Sequence, residues 1–300
     1  MLDLASRARP RRNGRRQVLK RAFFFVTIKN EFVGDAPGGD ENAVNTPEKR
    51  RWAGCEIVRL ETVDSTNRYA RMLAAQGAPH GTLVLARQQT AGRGRRGRNW
   101  ISPAGEGIFM SLIVRPGTAV ESAGGLSLQA ALAAARAIAR TGGIDARIKW
   151  PNDIVCGGRK VCGMLLEMDT DGQGLQDVVI GVGINVHQTE FPEEIMHTAS
   201  SLDLLSGRRT DSEALTEAFL EEFEAAYALA RSDHEAFMRA YCGLSATLGQ
   251  RVQVIAAGET YTGTAENVTD SGTLLVRRED GVLREVLAAD VSVRGLMGYA

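Results

Sequence analysis

Seven residues, Gly92-Arg93-Gly94-Arg95-Arg96-Gly97-Arg98, hold three glycines and four arginines. Guanidinium groups are planar, permanently charged donors that match carboxylate and phosphate. Glycines leave backbone N–H groups open and permit positive φ. Such a loop offers anion binding. It has neither the Gly-Lys-Ser/Thr ending of a Walker loop nor the spacing of a dinucleotide fingerprint. Three more segments offer related chemistry. Lys149-Trp150-Pro151-Asn152-Asp153 combines a lysine for phosphate and an aspartate for Mg2+ with a proline that enforces an extended exit. Gly157-Gly158-Arg159-Lys160-Val161-Cys162-Gly163 puts a lysine at the head of an apolar strand, as a fixed positive charge. Gly181-Val182-Gly183-Ile184-Asn185 has glycines inside an apolar run, where a ligand or another backbone approaches closely. Each segment alone also reads as an ordinary solvated loop, turn, edge lysine or bulge. Four of them bordering strands argue together for a site.

The elements that position these segments follow from periodicity. A strand around Glu56–Leu60 leads to a helix capped by Asp64 or Ser65, with Tyr69, Met72 and Leu73 on one side. Thr82–Ala86 and Ile108–Val114 read as buried strands flanking the arginine loop. Leu126–Ala139 reads as a helix stopped by Thr141-Gly142-Gly143. Arg147–Trp150, Val161–Met168 and Val178–Val186 are strand-like. From Asp211 the spacing of Leu215, Phe219, Phe223 and Tyr227 is helical. From Leu248 onward, alternation at Val252/Val254, Leu274/Val276 and Val291/Val293 is broken by Asp270-Ser271-Gly272 and Asp280-Gly281, which are hairpin signals for a small barrel. The expected fold class is α+β, with residues 1–50 an extension, 51–246 a mixed-sheet domain and 247–300 a small β-barrel domain.

Composition bounds the rest. The chain has 300 residues, 44% hydrophobic and 24% charged, as in a soluble globular protein. Lys plus Arg and Asp plus Glu both number 36, which excludes a chain-wide nucleic-acid footprint. Residues 1–50 hold 11 basic against 6 acidic residues, a net of +5, so the remainder is mildly acidic. That extension reads as a basic, disordered tail. Four scattered cysteines and four scattered histidines lack zinc spacing and fit a reducing, cytoplasmic setting. No apolar run approaches the roughly 20 residues of a membrane span.

In this order the motifs resemble the biotin protein ligases (biotin–[acetyl-CoA-carboxylase] ligases). Ser65-Thr66-Asn67, the Gly92–Arg98 loop, Lys149–Asp153, Arg159-Lys160 with Gly163, and Gly181–Asn185 carry the resemblance, from residue 55 to the C-terminus. It implies a class II synthetase/lipoate-ligase-like catalytic domain followed by an SH3-like barrel. It implies biotin and ATP as substrates, Mg2+, and transfer of biotin through biotinyl-5′-AMP to a lysine of a biotin carboxyl carrier domain. By the resemblance, Ser65, Thr66 and Asn67 line the biotin ureido or tail region, and Gln89 touches biotin near the loop. Gly92, Arg93, Gly94 and Arg95 hold the biotin carboxylate and adenylate phosphate. Lys160 sits at the reacting groups, with Arg93 and Arg95 as its catalytic partners. Gly163 and Gly181 leave room for biotin. Lys149, Asn152, Asp153 and Asn185 serve ATP and its metal, with Asp153 the Mg2+ ligand. Trp100 packs on adenine, and Arg294 contacts ATP.

Bifunctional members of the family carry a helix-turn-helix domain and repress transcription. Some fifty residues with one apolar patch, Phe23–Ile28, do not supply one, so no sequence-specific DNA binding and no membrane partner are expected. A homodimer stays open. The competing readings are a lipoate or octanoate ligase, and a nucleic-acid module built on the arginine loop.

Overall fold

The computed structural model describes residues 52–116, 122–170, 175–256, 259–288 and 292–295. The expectations for residues 1–50 lie outside the described residues. Seven strands form the main sheet: β1 (Ile57–Val63), β2 (Leu83–Gln89), β3 (Gly107–Val114), β4 (Ala146–Lys149), β5 (Asp153–Cys156), β6 (Arg159–Thr170) and β7 (Leu175–Asn185). Their order is β1-β2-β3-β7-β6-β5-β4. Only β1 and β2 run parallel; every other neighbouring pair is antiparallel. The sheet is therefore mixed.

Helices cover both faces. Helix α1 (Thr66–Ala75) packs through Ala70 and Ala74 on Val84, Ile113 and Val179. The opposite face carries α2 (Ser122–Gly142), α4 (Ser212–Ser232) and α5 (His234–Gly243), with the short α3 (Leu202–Ser206) between β7 and α4. Strand β3 is covered on both sides, which explains its unbroken apolar run. In α4, Leu215, Phe219 and Phe223 are buried, and Asp211 caps it by accepting from the Glu213 and Ala214 N–H groups. Helix α1 differs from its sequence reading. Ser65 is the N-cap, but its side chain makes no cap bond, and Met72 turns outward at 43% exposure. The buried face is built of alanines, because the helix lies too close to the sheet for larger side chains.

The chain then forms a second, antiparallel sheet: β8 (Arg251–Ala256), β9 (Glu259–Val268), β10 (Leu274–Arg278), β11 (Leu283–Val286) and β12 (Ser292–Gly295). Its order is β11-β10-β9-β8-β12. The architecture is that expected of a small SH3-like unit, although no pairing among the described residues joins β11 to β12 into a closed barrel. Gly272 and Gly281 take φ of 83° and 81° at its hairpin turns. Trp150 binds this sheet to the first. Its backbone N–H donates to Thr247 Oγ1 at 3.0 Å, and its indole Nε1–H donates to the Gly272 carbonyl at 2.9 Å. Replacing this 2%-exposed indole by Trp150→Phe removes a buried donor and some volume. The expected loss is about 1–3 kcal/mol, read from the denaturant midpoint.

Two other clusters have structural roles. His187 Nδ1 lies 2.7 Å from Asp203 Oδ2 and its Nε2 lies 3.1 Å from Ser212 Oγ. The connectivity is that of a hydrolase triad, but the Asp203 carboxylate also accepts from the Thr210 N–H at 2.8 Å and so ties down the chain entering α4. The cluster clamps the end of β7 to α3 and α4. Cys156 and Cys162 are buried. Burial, with Asp145 adding, pushes the Cys156 thiol up to about 12, and burial pushes Cys162 up as well. Only thiolates react readily. Maleimide at neutral pH is expected to label exposed Cys55 first, with Cys156 and Cys162 modified only on unfolding, as mapped by mass spectrometry.

Candidate active site

The arginine loop folds back on itself as a narrow hairpin. Gly94 N–H donates to the Arg98 carbonyl at 2.7 Å, and Trp100 N–H donates to the Gly92 carbonyl at 2.9 Å. Positive φ falls at Arg96 (57°) and Gly97 (71°), not at Gly92 or Gly94. Gly92 is required by close approach instead: a Cβ there would stand 2.4 Å from the Trp100 carbonyl oxygen.

The loop overhangs a cleft of about 590 Å³ on the sheet, a size that suits a drug-sized ligand. From α1 and β2 come Ser65, Thr66, Asn67 and Gln89; from the loop come Arg93, Gly94, Arg95 and Trp100. Lys149, Asn152 and Asp153 reach it from β4, β5 and the turn between them; Lys160, Gly163, Gly181 and Asn185 reach it from β6 and β7. Gly92 stands behind the lining. Arg294 lies on β12 opposite Gln253, and its side chain is outside the described residues.

The charges are already paired. Lys160 Nζ stands 2.7 Å from Asp153 Oδ1, an ion pair, although this covered oxygen lacks the angles of a hydrogen bond. The same Nζ is 5.2 Å from the centre of the Trp100 ring. Arg95 donates from Nη1 to Asn152 Oδ1 at 2.8 Å and from Nη2 to the Ala288 carbonyl. Burial, with Arg96 and Arg98 adding, lowers the Arg95 pKa below its usual value, and Asp153 pulls the other way. Asn152 is fixed in turn by donating to the Met164 carbonyl at 2.5 Å. Lys149 and Asn185 are buried, and Asn185 donates to the Ser200 carbonyl at 3.1 Å.

A polar chain runs through Gln89, Thr66, Ser111 and Asn67 at this end of the cleft. Gln89 Oε1 accepts from Thr66 N and Oγ1 at 2.9 and 3.1 Å. Gln89 Nε2 donates to Ser102 Oγ at 2.9 Å. Ser111 Oγ lies 2.8 Å from Thr66 Oγ1 and 2.6 Å from Asn67 Oδ1. Asn67 Nδ2 donates to the Leu165 carbonyl at 3.1 Å and to Glu167 Oε2 at 2.9 Å. Arg93 Nη1 closes the chain, 2.8 Å from Glu167 Oε1.

The strand glycines make room for side chains. A Cβ at Gly181 would lie 2.0 Å from Asn67 Oδ1. At Gly163 and Gly183 it would lie 2.7 and 2.5 Å from the Trp100 ring. Trp100 thus lies across β6 and β7, its Nε1–H buried without an acceptor among the described residues. Sequence reasoning missed Ser111 and Glu167, which stand behind the cleft, and the wall formed by Gln188, Phe191, Glu194, Ile195 and Thr198. A serine and a carboxylate inside apolar strands were visible signals for the first two; the wall gave none.

A mixed sheet bearing this cleft, followed by a small antiparallel sheet, places the chain in a broad class. Residues 60–185 match the model of the Biotin/lipoate A/B protein ligase family. Residues 247–294 match the Biotin protein ligase C terminal domain. The bifunctional ligase/repressor BirA of Bacillus spizizenii is 34% identical over 84% of this chain and 78% of its own length. The biotin–[acetyl-CoA-carboxylase] ligase of Paracoccus denitrificans is 35% identical over 77% of this chain and 97% of its own. The solved biotin protein ligase of Aquifex aeolicus, in complex with biotin and ATP, superposes with a TM-score of 0.69 at 28% identity, covering 80% of this chain and 98% of that one. The chain belongs to the biotin protein ligase family.

Proposed function

We propose that the chain joins biotin to ATP as biotinyl-5′-AMP, releasing pyrophosphate, and passes the biotinyl group to a lysine of a biotin carboxyl carrier domain, releasing AMP. One observation carries the reading: Lys160, Arg93 and Arg95 converge on a cleft beside Thr66, Asn67 and Gln89, in a chain of this family. The biotin carboxylate attacks the α-phosphorus, so two anions must meet. Like charges a few ångströms apart repel strongly where water is scarce. Lys160 and the two arginines lower that cost and stabilise the charge on the phosphate oxygens. Lys160 acts as a point charge, not a nucleophile. It exchanges its Asp153 partner for substrate oxygens as they arrive. Thr66, Asn67 and Gln89 hold biotin, and Gly94 lets the loop backbone come close to the carboxylate. Lys149, Asn152, Asn185 and Arg294 serve ATP, and Trp100 packs on adenine once the loop closes over it. That closure keeps water from an adenylate that hydrolyses readily.

The residues also fit Mg2+. Asp153 Oδ1 is a covered carboxylate oxygen with no hydrogen bond, ion-paired with Lys160, which in this reading leaves it as substrate arrives. Among the described residues no three His, Cys, Asp or Glu stand together, which suits a metal held chiefly by substrate phosphates and one carboxylate. The ion would supply charge neutralisation. In this reading residues 51–246 are the catalytic domain and 247–300 a C-terminal domain, and the Arg95–Ala288 bond supports their joint use in the site. Among the described residues no helix is long and apolar enough to cross a membrane. The repressor question rests on residues outside those described.

The test is exchange of labelled pyrophosphate into ATP. Exchange that needs biotin, and is not supported by lipoate or octanoate, is expected. Exchange with lipoate instead, or none beside salt-sensitive polynucleotide binding, would overturn the proposal.

A further inference from the structure

We infer that Glu167 is a positioning residue that sets two parts of the site at once, the biotin-side amide of Asn67 and the loop guanidinium of Arg93. The inference rests on the proposed ligase reading and adds a residue to it. Glu167 lies on β6 opposite Val179, and its side chain is 14% exposed. It does not line the cleft. Its carboxylate nevertheless meets two residues that do. Oε2 accepts from Asn67 Nδ2 at 2.9 Å, and Oε1 lies 2.8 Å from Arg93 Nη1. Arg71 stands farther off, at 3.8 Å from Oε1.

The chemistry of the partners fixes the outcome. An amide side chain fits its site either way round unless its neighbours choose. The Leu165 carbonyl and an ionised carboxylate can only accept, so together they draw Asn67 Nδ2 to their side. Asn67 Oδ1 then faces Ser111, at 2.6 Å. For Arg93, an ion pair at one nitrogen, 2.8 Å from Oε1, anchors the fork while the residue lines the cleft. Glu167 thus stands behind the loop as the fixed anion that holds its first arginine over the sheet.

The two partners can be separated by substitution. Glu167→Gln keeps an oxygen for Asn67 and removes the charge on which Arg93 is anchored. Glu167→Ala removes both. The readouts are KM for biotin, kcat for pyrophosphate release, and the half-life of enzyme-bound adenylate. Glu167→Gln is expected to leave the biotin KM within about twofold and to shorten the adenylate half-life about tenfold. Glu167→Ala is expected to raise the biotin KM about tenfold as well. In an Arg93→Ala background, Glu167→Gln is expected to shorten the half-life no further. Normal adenylate retention in Glu167→Gln, or effects that simply multiply in the double variant, would overturn the inference. Amide hydrogen exchange of the ligand-free loop supplies a readout that needs no activity. Faster exchange at Gly94 and Trp100 in Glu167→Gln supports the anchor; unchanged exchange refutes it. A wild-type enzyme without biotin-dependent exchange would sink the ligase reading alone, and the loop measurement would still decide the role of Glu167.

Discussion

Lys160→Ala is expected to reduce biotin-dependent pyrophosphate release by about 100- to 1,000-fold. The lysine reaches the cleft from a backbone whose pairing alanine preserves. Lys160 N–H donates to the Thr198 carbonyl at 2.8 Å, and its own carbonyl accepts from Ser200 N–H at 2.9 Å. The fold therefore loses little besides the Asp153 pair, whose side chains are 24% and 18% exposed. That loss is expected to cost on the order of 1–2 kcal/mol, with Arg95 as a compensating charge. Stability and turnover should thus part company: a small shift of the thermal midpoint, a large loss of chemistry. Lys160→Met, with similar bulk and no charge, should match the alanine variant in rate. Near-normal pyrophosphate release from either would remove Lys160 from the mechanism.

Gly181→Ala is expected to weaken biotin binding by about 100-fold and stability by about 2 kcal/mol, because overpacking a well-ordered interior forces its neighbours off their positions. The new methyl would stand 2.0 Å from Asn67 Oδ1 and 2.7 Å from Asn67 Cγ. Asn67 has little freedom to yield, since Leu165, Glu167 and Ser111 all hold its amide. Gly163→Ala should be milder. Its methyl meets Trp100 at 2.7 Å and the end of the Lys160 chain at 3.0 Å, and a lysine terminus can move. Gly243→Ala, with nothing within 4 Å, is the control and should stay within about 0.5 kcal/mol. Calorimetric titration with biotin reads the first effect and denaturant midpoints the second. Gly181→Ala binding biotin within twofold of wild type would show that Asn67 is not held as described.

The sequence carried most of the frame because its signals were local. Apolar runs at Ile108–Val114 and Val178–Val186 could only be covered strands, and they pair side by side as β3 and β7. Hairpin signals at Gly272 and Gly281 fall at turns of the second sheet. The arginine loop and Lys149–Asp153 were legible because charge and glycine are costly next to strands without a use for them. What stayed hidden depends on distance in three dimensions. Asn67 and Glu167 are 100 residues apart in sequence, so no spacing rule joins them. The wall from Gln188 to Thr198 has neither helical nor strand periodicity. On α1, Tyr69 and Leu73 pack against the core while Met72 beside them is exposed, and the tight packing of Ala70 and Ala74 is a property of the assembled sheet.

The bond from Arg95 to the Ala288 carbonyl spans 193 residues of chain. A ribosome adds residues one at a time, at about 5–20 per second, so the arginine emerges about 10–40 s before the carbonyl that will hold it. Through that interval the Arg95 guanidinium lacks this acceptor, although every residue lining the cleft lies between Ser65 and Ala199. Emergence of Ala288, rather than completion of the main sheet, is what lets Arg95 make this bond, while Arg93, Arg96 and Arg98 stay exposed even in the folded chain.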